Sequence, residues 1–185
     1  YCSYVRDHPE DVLNKAYHDS EYGFPLTSDE ALFERFVLEI NQAGLSWITI
    51  LKKKETFRQA YDGFDVDRVA AYGEADVARL LAEPGVIRNR LKVRAAIENA
   101  RRVQTLRIEH GSFKGWLDAQ HPLPLEGWVK LFKKTFIFTG GEIVNEDGSL
   151  LALDPEKSFL RGILPRAIVI ASALALIFQS LCFDQ

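Results

Sequence analysis

The residues best placed to do chemistry lie between Leu38 and Leu51, in the stretch LEINQAGLSWITIL, whose one acid is Glu39. Phe33, Phe36, Val37 and Ile40 recur at steps of three and four, and Ala43, Trp47 and Leu51 continue the series. That is the spacing of a helix with one buried stripe. Glu39 sits three residues after Phe36 and four before Ala43, so a helix turns its carboxylate toward the interior. A carboxylate on an apolar face costs free energy unless hydrogen-bond donors or a cation meet it. Gln42 and Ser46 share its side and Trp47 is within a turn, so charge, amide, hydroxyl and an indole ring are brought together. Such a set suits a donor-rich or positively charged ligand. The plainer reading has Glu39 reaching an Arg or a helix N-terminus inside an ordinary core.

The elements that must position these groups follow from local signals. Thr27-Ser28-Asp29-Glu30 reads as a capping box, with the Thr27 hydroxyl and the Glu30 side chain each satisfying an end group of the Glu39 helix. Gly44 breaks or bends that helix before a second helical run from Leu45 to about Tyr61. Short helices are expected over 65–72 and 74–83, and further ones near 113–120 and 125–134. Residues 1–25 lack clean periodicity and predict an irregular arm with one short helix. Pro84-Gly85-Val86-Ile87-Arg88-Asn89-Arg90 makes a tight turn, after which Val93, Ala96, Ile97, Ala100, Val103 and Leu106 run at helical spacing. A helix, a short Gly-containing hairpin and a basic helix form a helix-hairpin-helix arrangement near 75–106, whose turn N–H groups and helix N-terminus can hold a phosphate. A solvated charged helix after a routine loop is the alternative.

Length and composition, at 185 residues, are those of an ordinary globular chain able to bury a core unaided. Only Cys2 and Cys182 are present, too few for a disulfide framework, so a reducing, cytoplasmic setting is expected. Nothing at the N-terminus resembles a signal peptide, and with no methionine in the chain Tyr1 is not expected to be the translated start. A net charge of −3 argues against a protein that coats nucleic acid non-specifically. Distribution says more, for seven basic residues (Arg88, Arg90, Lys92, Arg94, Arg101, Arg102, Arg107) face one acid, Glu98, between Val86 and Arg107. That suits a protein docking on DNA through one local surface.

Read as strings, Glu39 to Trp47 followed by Ile50-Leu51-Lys52-Lys53-Lys54 resembles the signature of the DNA-3-methyladenine glycosylase I family of base-excision repair enzymes. Cys2-Ser3-Tyr4, Tyr17-His18-Asp19-Ser20-Glu21-Tyr22-Gly23-Phe24-Pro25 and Thr135 to Asn145 resemble further family segments, and the likeness fades after about Glu146. The resemblance implies an all-α, helix-hairpin-helix glycosylase fold and a monomer acting on double-stranded DNA that carries alkylated bases. It implies that Glu39 accepts hydrogen bonds from a flipped adenine edge and attracts its positive charge. Trp47, Tyr17, Tyr22 and Tyr4 would wall the pocket, with Gln42 and Ser46 beside them. Gly85, Arg88, Arg90, Lys92 and Arg94 would hold the DNA backbone. No acid follows the hairpin between Val86 and Ile97, and no Lys stands out as a Schiff-base nucleophile, so a monofunctional enzyme is expected.

The chemistry requires no cofactor. The family's structural zinc, held by a Cys and a His near each end, is matched here only by Cys2 and His18, because the last His is His121 and Cys182 stands alone near the C-terminus. Two departures keep other readings open. Residues 1–146 form the glycosylase-like domain, while 147–185 read as a loop and an atypical apolar helix over 164–183. The core of that run, 167–183, is about 17 residues, at the lower edge of what spans a bilayer, and a buried terminal helix without a membrane is preferred. The alternatives are a non-catalytic DNA-binding module of the same fold and a membrane-tethered helical protein.

Overall fold

The structure, a computed structural model, describes residues 2–138 apart from Gly23 and Pro25. Within them the chain is all-helical, as expected: α1 (Cys2–Asp7), α2 (Val12–Ser20), α3 (Asp29–Gln42), α4 (Trp47–Ala60), a 3-10 turn (Asp62–Phe64), α5 (Val66–Ala70), α6 (Glu74–Ala82), α7 (Arg90–His110), α8 (Phe113–Ala119) and α9 (Leu125–Thr135). The N-terminal arm departs from expectation by forming two helices, the second capped by the Asp11 carboxylate accepting from the Asn14 N–H. The α3 cap also moves by one residue. Ser28 rather than Thr27 supplies it, its Oγ accepting from the Ala31 N–H at 3.1 Å. A tertiary contact goes with that register. Asp29 accepts from the Phe113 and Lys114 N–H groups at 2.9 and 3.2 Å, so the first residue of α3 closes the N-terminus of α8.

The core is built on α3 and α7. Phe33, Phe36 and Val37 from the first, and Val93, Ala96, Ala100 and Val103 from the second, are buried in one continuous cluster with side chains of α4 to α9. Each buried Val or Phe side chain among them contributes roughly 1.5–3 kcal/mol. Phe36 meets the rings of Phe113, Phe132 and Phe136, the last at 4.7 Å between centroids, which ties α3 to α8 and α9. Polar residues stitch the rest. Arg58 grips the buried Glu34 carboxylate through Nη2 (2.9 Å to Oε1) and Nε (3.1 Å to Oε2), joining α3 to α4. Asn99, with no exposed surface, donates to the Ile137 carbonyl and accepts from the Ile137 N–H.

Several basic residues of α7 likewise bind their neighbours. Arg101 donates to the Ala70 carbonyl, Arg102 to that of Thr135, and Arg107 pairs with Asp29 and Asp67. No helix of the described residues is long and apolar enough to cross a membrane, and the apolar run 164–183 lies outside them.

Candidate functional site

Glu39 lies in the last turn and a half of α3, where the helix must end because Gly44 takes a left-handed φ of +81°. The chain then enters α4, whose first residue is Trp47. Tyr17, 5 % exposed on α2, approaches Trp47 edge to face at 5.5 Å between centroids. The Glu39 side chain is 9 % exposed, and burial pushes its carboxyl above the usual carboxylate range, an effect that Arg35 partly offsets.

Arg35, one turn earlier on α3, is the partner of Glu39, with Nη2 at 2.7 Å from Oε1. Its guanidinium is the centre of the whole group. It sits 4.6 Å from the Trp47 ring centroid and 5.5 Å from that of Tyr17, and Nη1 donates to the Tyr17 hydroxyl. The contact is incompletely satisfied, since Arg35 Nε and Glu39 Oε1 are buried without a well-directed hydrogen bond. Glu39 thus meets the internal Arg that the plainer reading foresaw, and it is that Arg which faces the Tyr17 and Trp47 rings. Sequence reasoning passed over Arg35. Its signal was an opposite charge four residues before Glu39 on one helix face.

The other expected side chains are placed unevenly. Tyr22 is 6.3 Å from Tyr17 and half-exposed, stacked on His18 at 5.8 Å, so it stands at the edge of the group. Tyr4 is exposed on α1, where it stacks on His8 and donates to Asp11. Ser46 is exposed and shares a hydrogen bond with Thr49 in the first turn of α4. Gln42 is half-buried in the last turn of α3.

The hairpin 83–89 joins α6 to α7, whose N-terminus is capped by the Asn89 side chain accepting from the Leu91 and Lys92 N–H groups. Gly85 is required by closeness, not by a left-handed turn. A Cβ there would lie 2.1 Å from Thr56 Cγ2 on α4. Its N–H donates to the Glu83 carboxylate at 2.9 Å. Arg88, Arg90 and Arg94 are exposed, and Glu74 holds Arg94 at 2.8 Å and Arg90 at 3.6 Å.

Lys92, expected beside these arginines, is placed otherwise. It is 6 % exposed, and its Nζ donates to the Asn41 and Ala43 carbonyls at 3.1 and 2.7 Å, closing the end of the Glu39 helix. The reason is its register, for Val93, Ala96 and Ile97 turn that edge of α7 toward α3. Cys2 and His18 belong to different helices, and His18 Nδ1 lies 2.9 Å from Asp19 Oδ1. Among the described residues no three His, Cys, Asp or Glu side chains gather closely enough to hold a metal ion, and Cys182 lies outside them.

An all-helical domain with a hairpin before a basic helix, and a buried carboxylate paired with an arginine that faces two aromatic rings, is the architecture set beside known proteins. The Methyladenine glycosylase family profile matches residues 8–125, and the chain belongs to that family. It is 50 % identical over 100 residues to DNA-3-methyladenine glycosylase 1 of Escherichia coli strain K12, covering 54 % of this chain and 52 % of the relative. Over 85 residues it is 44 % identical to DNA-3-methyladenine glycosylase of Haemophilus influenzae, covering 46 % of each. The chain thus spans about half the length of these curated relatives. Its fold superposes on 3-methyladenine DNA glycosylase I of Staphylococcus aureus with a TM-score of 0.65 at 31 % identity, covering 71 % of this chain and 80 % of that one.

Proposed function

We propose that this chain is a monofunctional DNA glycosylase that excises 3-methyladenine from alkylated double-stranded DNA. One observation carries the reading. Between Tyr17, Trp47 and the Glu39 carboxylate the fold seats a flat cation, the Arg35 guanidinium. A 3-methylated adenine still joined to its sugar is also a flat cation, and the same rings and carboxylate suit it. The nucleotide must first leave the stack, because its edge cannot be reached inside the duplex. Exposed Arg88, Arg90 and Arg94, with the Gly85 hairpin, form the surface that holds the backbone meanwhile.

Inside the seat, Glu39 accepts hydrogen bonds from the adenine edge while the Trp47 and Tyr17 rings, set edge to face, wall two of its sides. Water then forms a bond to the sugar C1′ as the bond from C1′ to the purine breaks. The bonding pair passes to the ring and neutralises it, and the water proton goes to solvent. Because the base departs neutral, acid catalysis adds little, and no cofactor enters. The Lys92 amine is turned to the carbonyls of α3, which agrees with a reaction that leaves the strand uncut. We assign this activity to residues 1–146, acting as a monomer in the cytoplasm.

Incubation with methylated DNA, followed by chromatography of the freed bases, tests the proposal. Free 3-methyladenine is expected from the native chain and none from Glu39→Gln. Unchanged release by that variant removes Glu39 from the mechanism. Salt-dependent DNA binding without base release from the native chain points instead to a non-catalytic module.

A further inference from the structure

We infer that Arg35 is a resident competitor for the base seat, its guanidinium holding the place between Tyr17, Trp47 and Glu39 that an entering base must take. The inference rests on the glycosylase reading above and adds a residue to it. Trp47 and Tyr17 stand only 5.5 Å apart between centroids, and the guanidinium lies within 4.6 Å of one and 5.5 Å of the other. A purine stacked on either ring and hydrogen-bonded to Glu39 would overlap it. The two occupants exclude each other.

Arg35 is also built to leave. It occupies the same helix as Glu39, one turn away, and its side chain is 19 % exposed. Rotation about its own side-chain bonds therefore carries the charge to water without moving α3. What it gives up is imperfect. Nε lacks a partner and Glu39 Oε1 has no well-directed donor, so an adenine edge that donates squarely to the carboxylate improves on it. While Arg35 is in place it keeps the buried carboxylate beside a cation.

The thermodynamics separate two roles that share this seat. Displacing Arg35 is the same step for every base, so its cost lowers all affinities by one factor. Glu39, which remains when Arg35 has gone, sets the ratio between one base and another. Arg35 thus fixes a threshold and Glu39 the preference. Removing a guanidinium that contacts two rings and a carboxylate corresponds to a common gain of about tenfold.

The test uses the full chain and its Arg35→Met variant, titrated calorimetrically with free 3-methyladenine and with adenine. Methylated DNA supplies KM and kcat. Arg35→Met is expected to bind both bases about tenfold tighter with their ratio unchanged, and to lower KM while leaving kcat in place. Arg35→Lys, which keeps the charge but stacks less well, falls between the two. Unchanged or weaker binding by a folded Arg35→Met chain overturns the inference, as does a change in the ratio. Should the Met variant fail to fold, Arg35→Gln carries the same expectation and the same refutation. The outcomes stay distinct from those of the glycosylase reading. If Glu39→Gln abolishes base release while Arg35→Met behaves as the native chain, the activity stands and the competitor falls.

Discussion

Replacing Lys92 with Met tests whether the basic helix and the Glu39 helix are one mechanical unit. The Lys92 ammonium donates to two carbonyls at the end of α3, at 3.1 and 2.7 Å. Hydrogen bonds from a charged donor contribute about 1.5–3 kcal/mol each, so the pair is worth roughly 3–6 kcal/mol before the cost of burying the charge. That cost is several kcal/mol for a buried ion and cancels about half. Met fills most of the volume but leaves both carbonyls without their donor. A net loss of about 2–3 kcal/mol follows, or a Tm lower by roughly 4–12 °C for a chain of this size. Burial holds the Lys92 pKa below the ordinary lysine value, so between the folded and unfolded pKa values the unfolded chain binds more protons. Native stability therefore rises with pH through that window while the Met variant does not titrate there, and the gap between them widens. Thermal unfolding at neutral pH and at successive alkaline steps measures both effects. The salt slope of DNA binding supplies the control, because Lys92 faces inward: Arg88→Ala lowers that slope by about one and Lys92→Met leaves it alone. A Tm within a degree or two of native, or a gap that narrows with rising pH, refutes the reasoning.

Glu39→Gln is expected to stabilise the fold while ending base release. Burial raises the Glu39 pKa, so the stability associated with this group is complete below the unfolded value and is lost as pH rises through the folded one. Denaturant midpoints should favour Gln at neutral pH and converge with native in acid, and a less stable Gln variant at neutral pH contradicts the assignment. Asn99→Ala removes both hydrogen bonds to Ile137 and leaves its half-buried N–H and carbonyl without that partner, a loss of about 2–3 kcal/mol to be read from urea unfolding. Gly85→Ala drives a Cβ into Thr56 and must shift the hairpin, so DNA affinity should fall at least tenfold with α-helical content unchanged, and retained affinity would show that the hairpin yields freely.

Periodicity alone placed most of this fold. The stripe from Phe33 to Ile40 on α3 and the apolar edge of α7 are each repetitions within one helix, and Gly44 marks the break after the first, so local sequence encodes them directly. Glu39 stood out for the same reason, as a charge on an apolar stripe. Helix starts were less legible. Thr27 and Ser28 are comparable caps, and the observed register also serves the N-terminus of α8, far along the chain. Beyond pairs one helical turn apart, such as Arg35 with Glu39, the fate of the charged residues was not encoded locally. Arg88 in the hairpin and Lys92 in the first turn of α7 lie four apart, yet the first faces water and the second is buried against the carbonyls of α3. Arg35 reads as an ordinary exposed helix residue until α2 and α4 bring Tyr17 and Trp47 over it. The sequence by itself determined which helices form and which residues they bury, since hydrophobic spacing is a property of single segments. Only the tertiary structure decided which charges meet across helices, because such an ion pair, or a cation against a ring, depends on segments that are distant in the chain and adjacent in space.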